Sequence, residues 1–258
     1  MTLLKKLLVL VSLILVLIIA GCGTSDNNEE QTGQGSNETT ANNDTNNAAG
    51  DDQEEPVDLE NLVFPQMSTE VAENERVVEI VTNKGTIVVK LFPEHAPKAV
   101  ENFITHAENG YYDGVIFHRV IEEFMIQGGD PNGTGAGGES IWGEPFEDEF
   151  ALELLNFRGA LSMANPGQPH MNGSQFFIVQ AGPLDDAYEE QLKKAGYPEK
   201  AVEFYMENGG TPWLDHRHTV FGHVLEGMDI VDEIAQVETG ANDKPVEDIV
   251  IEKVNVTK

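Results

Sequence analysis

Apolar and polar positions alternate in two early runs, 77–81 and 86–92, which flank Thr82, Asn83, Lys84 and Gly85. A period of two sets one side of each run against a core, and the turn glycine between them predicts a hairpin. The period then changes. Val100, Phe103, Ile104 and Ala107 recur at helical spacing after Pro97, with Gly110 as a stop, so an amphipathic helix is expected there. Strand patterns return at 115–120, 124–127, 159–164, 174–180, 218–225 and 246–256, with a second helix at 228–237. The runs 115–120 and 124–127 read as two short strands around a bend. If side chains alternate, Phe117 and Arg119 share a face, as do Met125 and Gln127, while Phe176 points to the core and Phe177 away from it. Many strands, few helices and frequent glycine turns favour a mainly β chain closed into an antiparallel barrel.

The N-terminal part breaks this pattern. Lys5-Lys6, an apolar stretch over 7–20 and small residues thereafter have the form of a signal segment, shorter than the roughly 20 residues a membrane-spanning helix needs. The ending Ile19-Ala20-Gly21-Cys22 resembles the lipobox of bacterial lipoprotein signals, which implies cleavage before Cys22 and a lipid on it. Cys22 is the only cysteine, so no internal disulfide can form. Residues 22–56 are rich in Asn, Thr, Gly, Asp and Glu and cannot build a core, which makes them a disordered linker with a reach on the order of 30 Å. Residues 57–75 carry Leu59, Leu62, Val63 and Phe64 before Pro65 and are able to dock on the domain over 76–258 or to stay free of it. The expected location is the outer face of a bacterial cell membrane, with the chain held by its lipid anchor.

Charge removes one class of partner. Fifteen Lys and Arg against 45 Asp and Glu give a formal −30, which repels phosphate backbones and excludes nucleic acid. Several motif matches also fail on context. Gly133 to Gly138 satisfies G-x-G-x-x-G, yet no helix pattern or βαβ unit surrounds it. Asp130, Asn132 and Thr134 open like a calcium loop, but Ile141 stands where a bidentate Glu is required. His216, His218 and His223 lack the spacing of a metal site, and Ser174 near His170 lacks a nucleophile elbow, so neither metal nor cofactor is expected.

A set of ordered segments is more specific. Phe117-His118-Arg119, Phe124-Met125-Ile126-Gln127-Gly128-Gly129-Asp130, Leu161-Ser162-Met163-Ala164-Asn165, Asn172-Gly173-Ser174-Gln175-Phe176-Phe177, Trp213-Leu214-Asp215 and His218-Thr219-Val220-Phe221-Gly222 follow one another along the chain. From about Arg76 onward the sequence resembles the cyclophilin family of peptidyl-prolyl cis-trans isomerases. The resemblance implies an eight-stranded antiparallel barrel capped by two helices, with the site on its outer face. It implies Arg119, Gln127 and Phe124 as catalytic residues, and Met125, Gly133, Ala164, Asn165, Gln175, Phe177, Trp213, Leu214 and His218 as substrate-binding ones. Trp213 matches the family's cyclosporin-contacting position. A monomer acting on proline-containing, unfolded or exported polypeptides is expected.

These residue types suit that task. An X-Pro bond is planar through conjugation, with a rotation barrier of about 18–20 kcal/mol. Twisting it localises the nitrogen lone pair, so a donor placed there binds the twisted state more strongly than the planar one. Arg119 is permanently charged and supplies that donor without proton transfer. Taken singly, Phe124, Met125, Phe177 and Leu214 read as core, Arg119 as a surface charge, and Gln127, Asn165 and Gln175 as structural hydrogen-bonders. Only their joint order argues otherwise. The same apolar groove would also serve a non-catalytic holdase, and an extracellular solute-binding lipoprotein would require two lobes instead of a barrel. The insertion over 183–212, with helices expected at 185–195 and 199–208, enters directly before Trp213 and is long enough to shape the groove.

Overall fold

The computed structural model describes residues 59–258; the leader, Cys22 and the linker expected over 1–56 lie outside them. Eight strands make one antiparallel sheet: β1 (Arg76–Thr82), β2 (Gly85–Leu91), β3 (Arg119–Ile121), β4 (Met125–Gly128), β5 (Ala160–Met163), β6 (Phe176–Val179), β7 (Val220–Glu226) and β8 (Ile251–Val256). Their order in space is β3-β4-β6-β5-β7-β2-β1-β8. The sheet curls, as strand twist demands. Near its two edges, the Phe117 N–H donates to the Ile249 carbonyl at 2.9 Å and the Ile251 N–H to that of Val115 at 2.8 Å.

Alternation along each strand sorts side chains into two layers. Val120, Ile126, Leu161, Met163, Phe176, Ile178 and Phe221 face the inner core. Helix α1 (Pro97–Glu108) adds Val100, Phe103 and Ala107 to it, and α4 (Met228–Ala235) adds Val231 and Ile234. The first free N–H groups of α1 are capped from a distance, because the Glu149 carboxylate accepts from Lys98 at 3.1 Å and Ala99 at 2.9 Å. On the other face of the sheet Met125, Ala160, Phe177, Val179 and Val220 gather into a second cluster.

One expected pairing fails. Phe117 is fully buried in the inner core, whereas Arg119 lies half-exposed on the outer face. The ladder begins only at Arg119, and the chain ahead of it is bent toward 249–251, so the period of two does not extend back to Phe117.

The segment before β1 and the insertion share a third apolar cluster. Helices α2 (Ala187–Lys194) and α3 (Glu199–Asn208) contribute Leu192, Ala201, Val202 and Tyr205, and Phe64 packs edge-on against Phe157 at 5.8 Å. Gln66 imitates a strand neighbour: its Nε2 donates to the Leu155 carbonyl and its Oε1 accepts from the Leu155 N–H, both at 2.8 Å. Lys90 is fully buried beneath this strap and donates to the carbonyls of Ser68 at 2.8 Å and Glu70 at 3.1 Å, with Glu75 at 3.6 Å. Burial lowers its pKa, while the Glu75 carboxylate opposes that shift.

His223, opposite Lys90 on β7, sits in the same place and its Nδ1 faces Gln66 Nε2 at 3.3 Å. Burial, with Lys90 adding to it, lowers the imidazole from 6.5 to about 3. The unfolded chain takes up this proton near 6.5 and the native state only near 3, so stability is full above that window and falls through it. Between pH 7 and pH 4 the melting temperature of the wild type should therefore drop more steeply than that of His223→Gln, as read by calorimetry. Parallel profiles would remove His223 as the cause.

Candidate active site

The candidate site lies on the outer face, where three strands bring the expected residues into register. Arg119 on β3 stands directly across from Gln127 on β4, and Gln127 across from Phe177 on β6. A residue pair opposed in this way has its side chains side by side. Met125 and Phe177 expose only 2% and 4% of their surface and form an apolar floor. Phe124, Ala164 and Leu214, each half-buried, pack around that floor, and Trp213 stands at the rim with 44% exposed. The Phe124 and Trp213 rings stack with centroids 6.4 Å apart.

Polar groups fix the neighbouring backbone. Gln127 Nε2 donates to Gln175 Oε1 at 3.0 Å, and Gln175 Nε2 donates to the carbonyls of Gly135 at 3.2 Å and Gly137 at 2.7 Å. Gln175 thus clips the glycine loop to the groove. The loop's odd composition follows from Asp130, whose buried carboxylate accepts N–H groups from Asn132, Thr134, Gly135 and Gly137. Burial pushes this carboxyl up, but those donors outweigh it and hold it below its ordinary range. Gly138 has φ +99°, and a Cβ there would come within 2.4 Å of Ser174 Oγ. The calcium-like pattern therefore serves loop geometry, with the carboxylate turned onto backbone N–H groups.

On the far side, Asn165 Nδ2 donates to the Arg217 carbonyl at 3.0 Å, and His218 Nδ1 contacts the Met163 carbonyl at 3.0 Å. His218 meets Phe177 edge-on at 5.3 Å. Burial lowers the pKa of His218, partly opposed by the Met163 carbonyl. His118 is buried behind Arg119 with neither ring nitrogen hydrogen-bonded, and burial lowers its pKa too. Both shifts favour the neutral imidazole, whereas the guanidinium of Arg119 is a permanent cation. His216 is exposed and His223 lies under the strap; among the described residues no three His, Cys, Asp or Glu are placed to hold a metal ion.

Asp243 is the partner that the sequence did not disclose. Its Oδ2 lies 3.4 Å from Arg119 Nε, 124 positions away along the chain. Asn242 and Asp243 both take left-handed backbone, at φ 61° and 58°, in the turn that carries the carboxylate facing Arg119. Left-handed geometry favours Asn and Asp, so the Asn-Asp pair before Lys244-Pro245 was the available signal. Among the described residues Arg119 is hydrogen-bonded through its side chain at Nε alone, and the residue lines a hollow beside Gln127. Two hollows flank Gln127. One, of about 340 Å³, is lined by Gly135, Ala164, Asn165, Met171 and Gln175, and the other, of about 590 Å³, by His118, Arg119, Gly133, Asp243 and Lys244.

The family profile described as cyclophilin type peptidyl-prolyl cis-trans isomerase/CLD matches residues 77–256. The chain belongs to the cyclophilin family. This cyclophilin is a peptidyl-prolyl cis-trans isomerase. It is 57% identical over 193 residues to a protein of Staphylococcus haemolyticus whose name describes it provisionally as a peptidyl-prolyl cis-trans isomerase, covering 75% of this chain and 97% of that one. A protein of Staphylococcus epidermidis with the same name is 58% identical over 193 residues, covering 75% and 98%. The crystal structure of a cyclophilin type peptidyl-prolyl cis-trans isomerase from Cryptosporidium parvum superposes with a TM-score of 0.59 at 34% identity, covering 71% of this cyclophilin and 98% of that chain. A second structure of it, in the presence of the dipeptide Ala-Pro, gives 0.58 at 34% identity, covering 70% and 99%.

Proposed function

We propose that this cyclophilin isomerises X-Pro bonds by steadying the twisted amide from the side, without covalent chemistry. Arg119 presents amino donors to the proline nitrogen as its lone pair localises, and Asp243 steadies the guanidinium through Nε. The proline ring rests on Met125 and Phe177, between Phe124 and Leu214, while the preceding carbonyl swings. Gln127, Ala164 and Asn165 hold the backbone ahead of the proline, Gly133 leaves room beside Arg119, and Gln175 keeps the loop in position. Trp213 and His218 bound the groove, where cyclosporin is also expected to bind. The Arg119–Gln127–Phe177 register carries this reading, because it sets a fixed cation, an amide and an apolar floor side by side.

The substrates proposed are proline-containing polypeptides folding after export. The Cryptosporidium structure with Ala-Pro supports the proline, and the lipobox-like ending at Cys22 supports the location. The test of activity is a protease-coupled assay on a proline peptide, in which cis-to-trans conversion should accelerate in proportion to the protein added. Protection of unfolded chains from aggregation with no acceleration would assign the groove to holding. Cys22→Ala should shift the protein from the membrane fraction to the soluble one on cell fractionation, and an unchanged distribution would remove the lipid anchor.

A further inference from the structure

We propose that Tyr188, carried by the 183–212 insertion, extends the groove and selects polypeptides with a large apolar side chain after the proline. This rests on the reading of the groove given above. Phe124 borders the apolar floor and stacks on Trp213 at 6.4 Å with planes inclined by 24°. Tyr188 meets the same indole at 6.3 Å and 42°. The three rings form a continuous strip from the floor to the insertion. Trp213 is 44% exposed, and Phe124 and Tyr188 are half-buried, so the strip offers apolar area that a bound peptide would remove from water.

The fold holds Tyr188 where it is needed. Tyr188 lies four residues before Leu192 on α2, and residues four apart share a helix face. Leu192 is buried with Phe157, Val202 and Tyr205, which fixes the rotation of the helix. Trp213 stands on the same base, since Asp215 accepts the hydroxyls of Tyr197 at 2.9 Å and Tyr205 at 2.6 Å. With Gln127 and Asn165 holding the chain ahead of the proline, the residues that follow leave past Phe124 and cross this strip. The carboxylates of Asp185 and Asp186, just ahead of Tyr188 in the chain, disfavour an acidic residue there.

The test measures isomerisation by exchange NMR on the whole protein. The substrates are proline peptides with Phe, Ala or Glu at the second position after proline, and a short peptide ending one residue after it. The wild type should favour Phe over Ala by about three- to tenfold, mainly through KM, with Glu poorest. Tyr188→Ala should erase the Phe preference and leave the short peptide unaffected, and Tyr188→Phe should restore it. Equal Phe-to-Ala ratios in wild type and Tyr188→Ala would overturn the proposal while leaving the groove reading intact. A wild type inactive even on the short peptide would sink both.

Discussion

Arg119→Ala should lower kcat/KM for a proline peptide by about 10²- to 10³-fold, the range seen when a single preorganised donor to a transition state is removed. The loss should fall on kcat, because in the proposed mechanism the donor acts once the amide has twisted and its lone pair has localised. The fold should survive. The side chains of Arg119 and its partner Asp243 are 42% and 48% exposed, and surface pairs of this kind contribute only about 0–1 kcal/mol. Circular dichroism and the melting temperature should therefore match the wild type. Arg119→Lys should fall between the two, because an ammonium keeps the charge and lacks the planar fork. Full activity in Arg119→Ala would take the guanidinium out of the mechanism.

The second large effect concerns Asp215, and it is structural. Its buried carboxylate accepts four bonds: the Asn156 N–H at 2.7 Å, Asn156 Nδ2 at 3.0 Å, and the hydroxyls of Tyr197 at 2.9 Å and Tyr205 at 2.6 Å. Burial raises the pKa of this group, and Tyr205, Asn156 and Tyr197 pull it back. Asp215→Ala leaves those donors buried without an acceptor. The expected cost is about 3 kcal/mol, or roughly 6–12 °C in melting temperature for a domain of this size. Asp215→Asn, which keeps shape and one acceptor, should cost less. Because Trp213 and Leu214 directly precede Asp215, KM should rise in Asp215→Ala at temperatures where the protein remains folded. An unchanged melting temperature would show that the insertion does not depend on this carboxylate.

Local chemistry made most of the framework legible. The β1–β2 hairpin follows from alternation around a glycine turn, and Phe176 and Phe177 divide between the inner core and the outer floor as a strand requires. The two helices expected over the insertion are present, over Ala187–Lys194 and Glu199–Asn208. The residues expected in the groove rest on a resemblance, because Met125 and Phe177 are as buried as any core residue and nothing local separates the two roles. What stayed hidden depends on contacts distant in sequence. Asp243 reaches Arg119 from 124 positions away, and Gln66 reaches Leu155 from 89. Phe117 was misplaced because a bridge to 249–251, invisible locally, bends the chain before the ladder starts.

The strap ahead of β1 bears on where this protein can be cut. The family profile begins at residue 77, but Lys90 is answered by Ser68, Glu70 and Glu75, and Phe157 is shielded by Phe64. A version trimmed to the family boundary would carry a stranded ammonium in its wall and a bare aromatic flank beside it. The unit of folding thus starts ahead of the family profile, and a protein cut at residue 77 would tend to clump before it could be assayed.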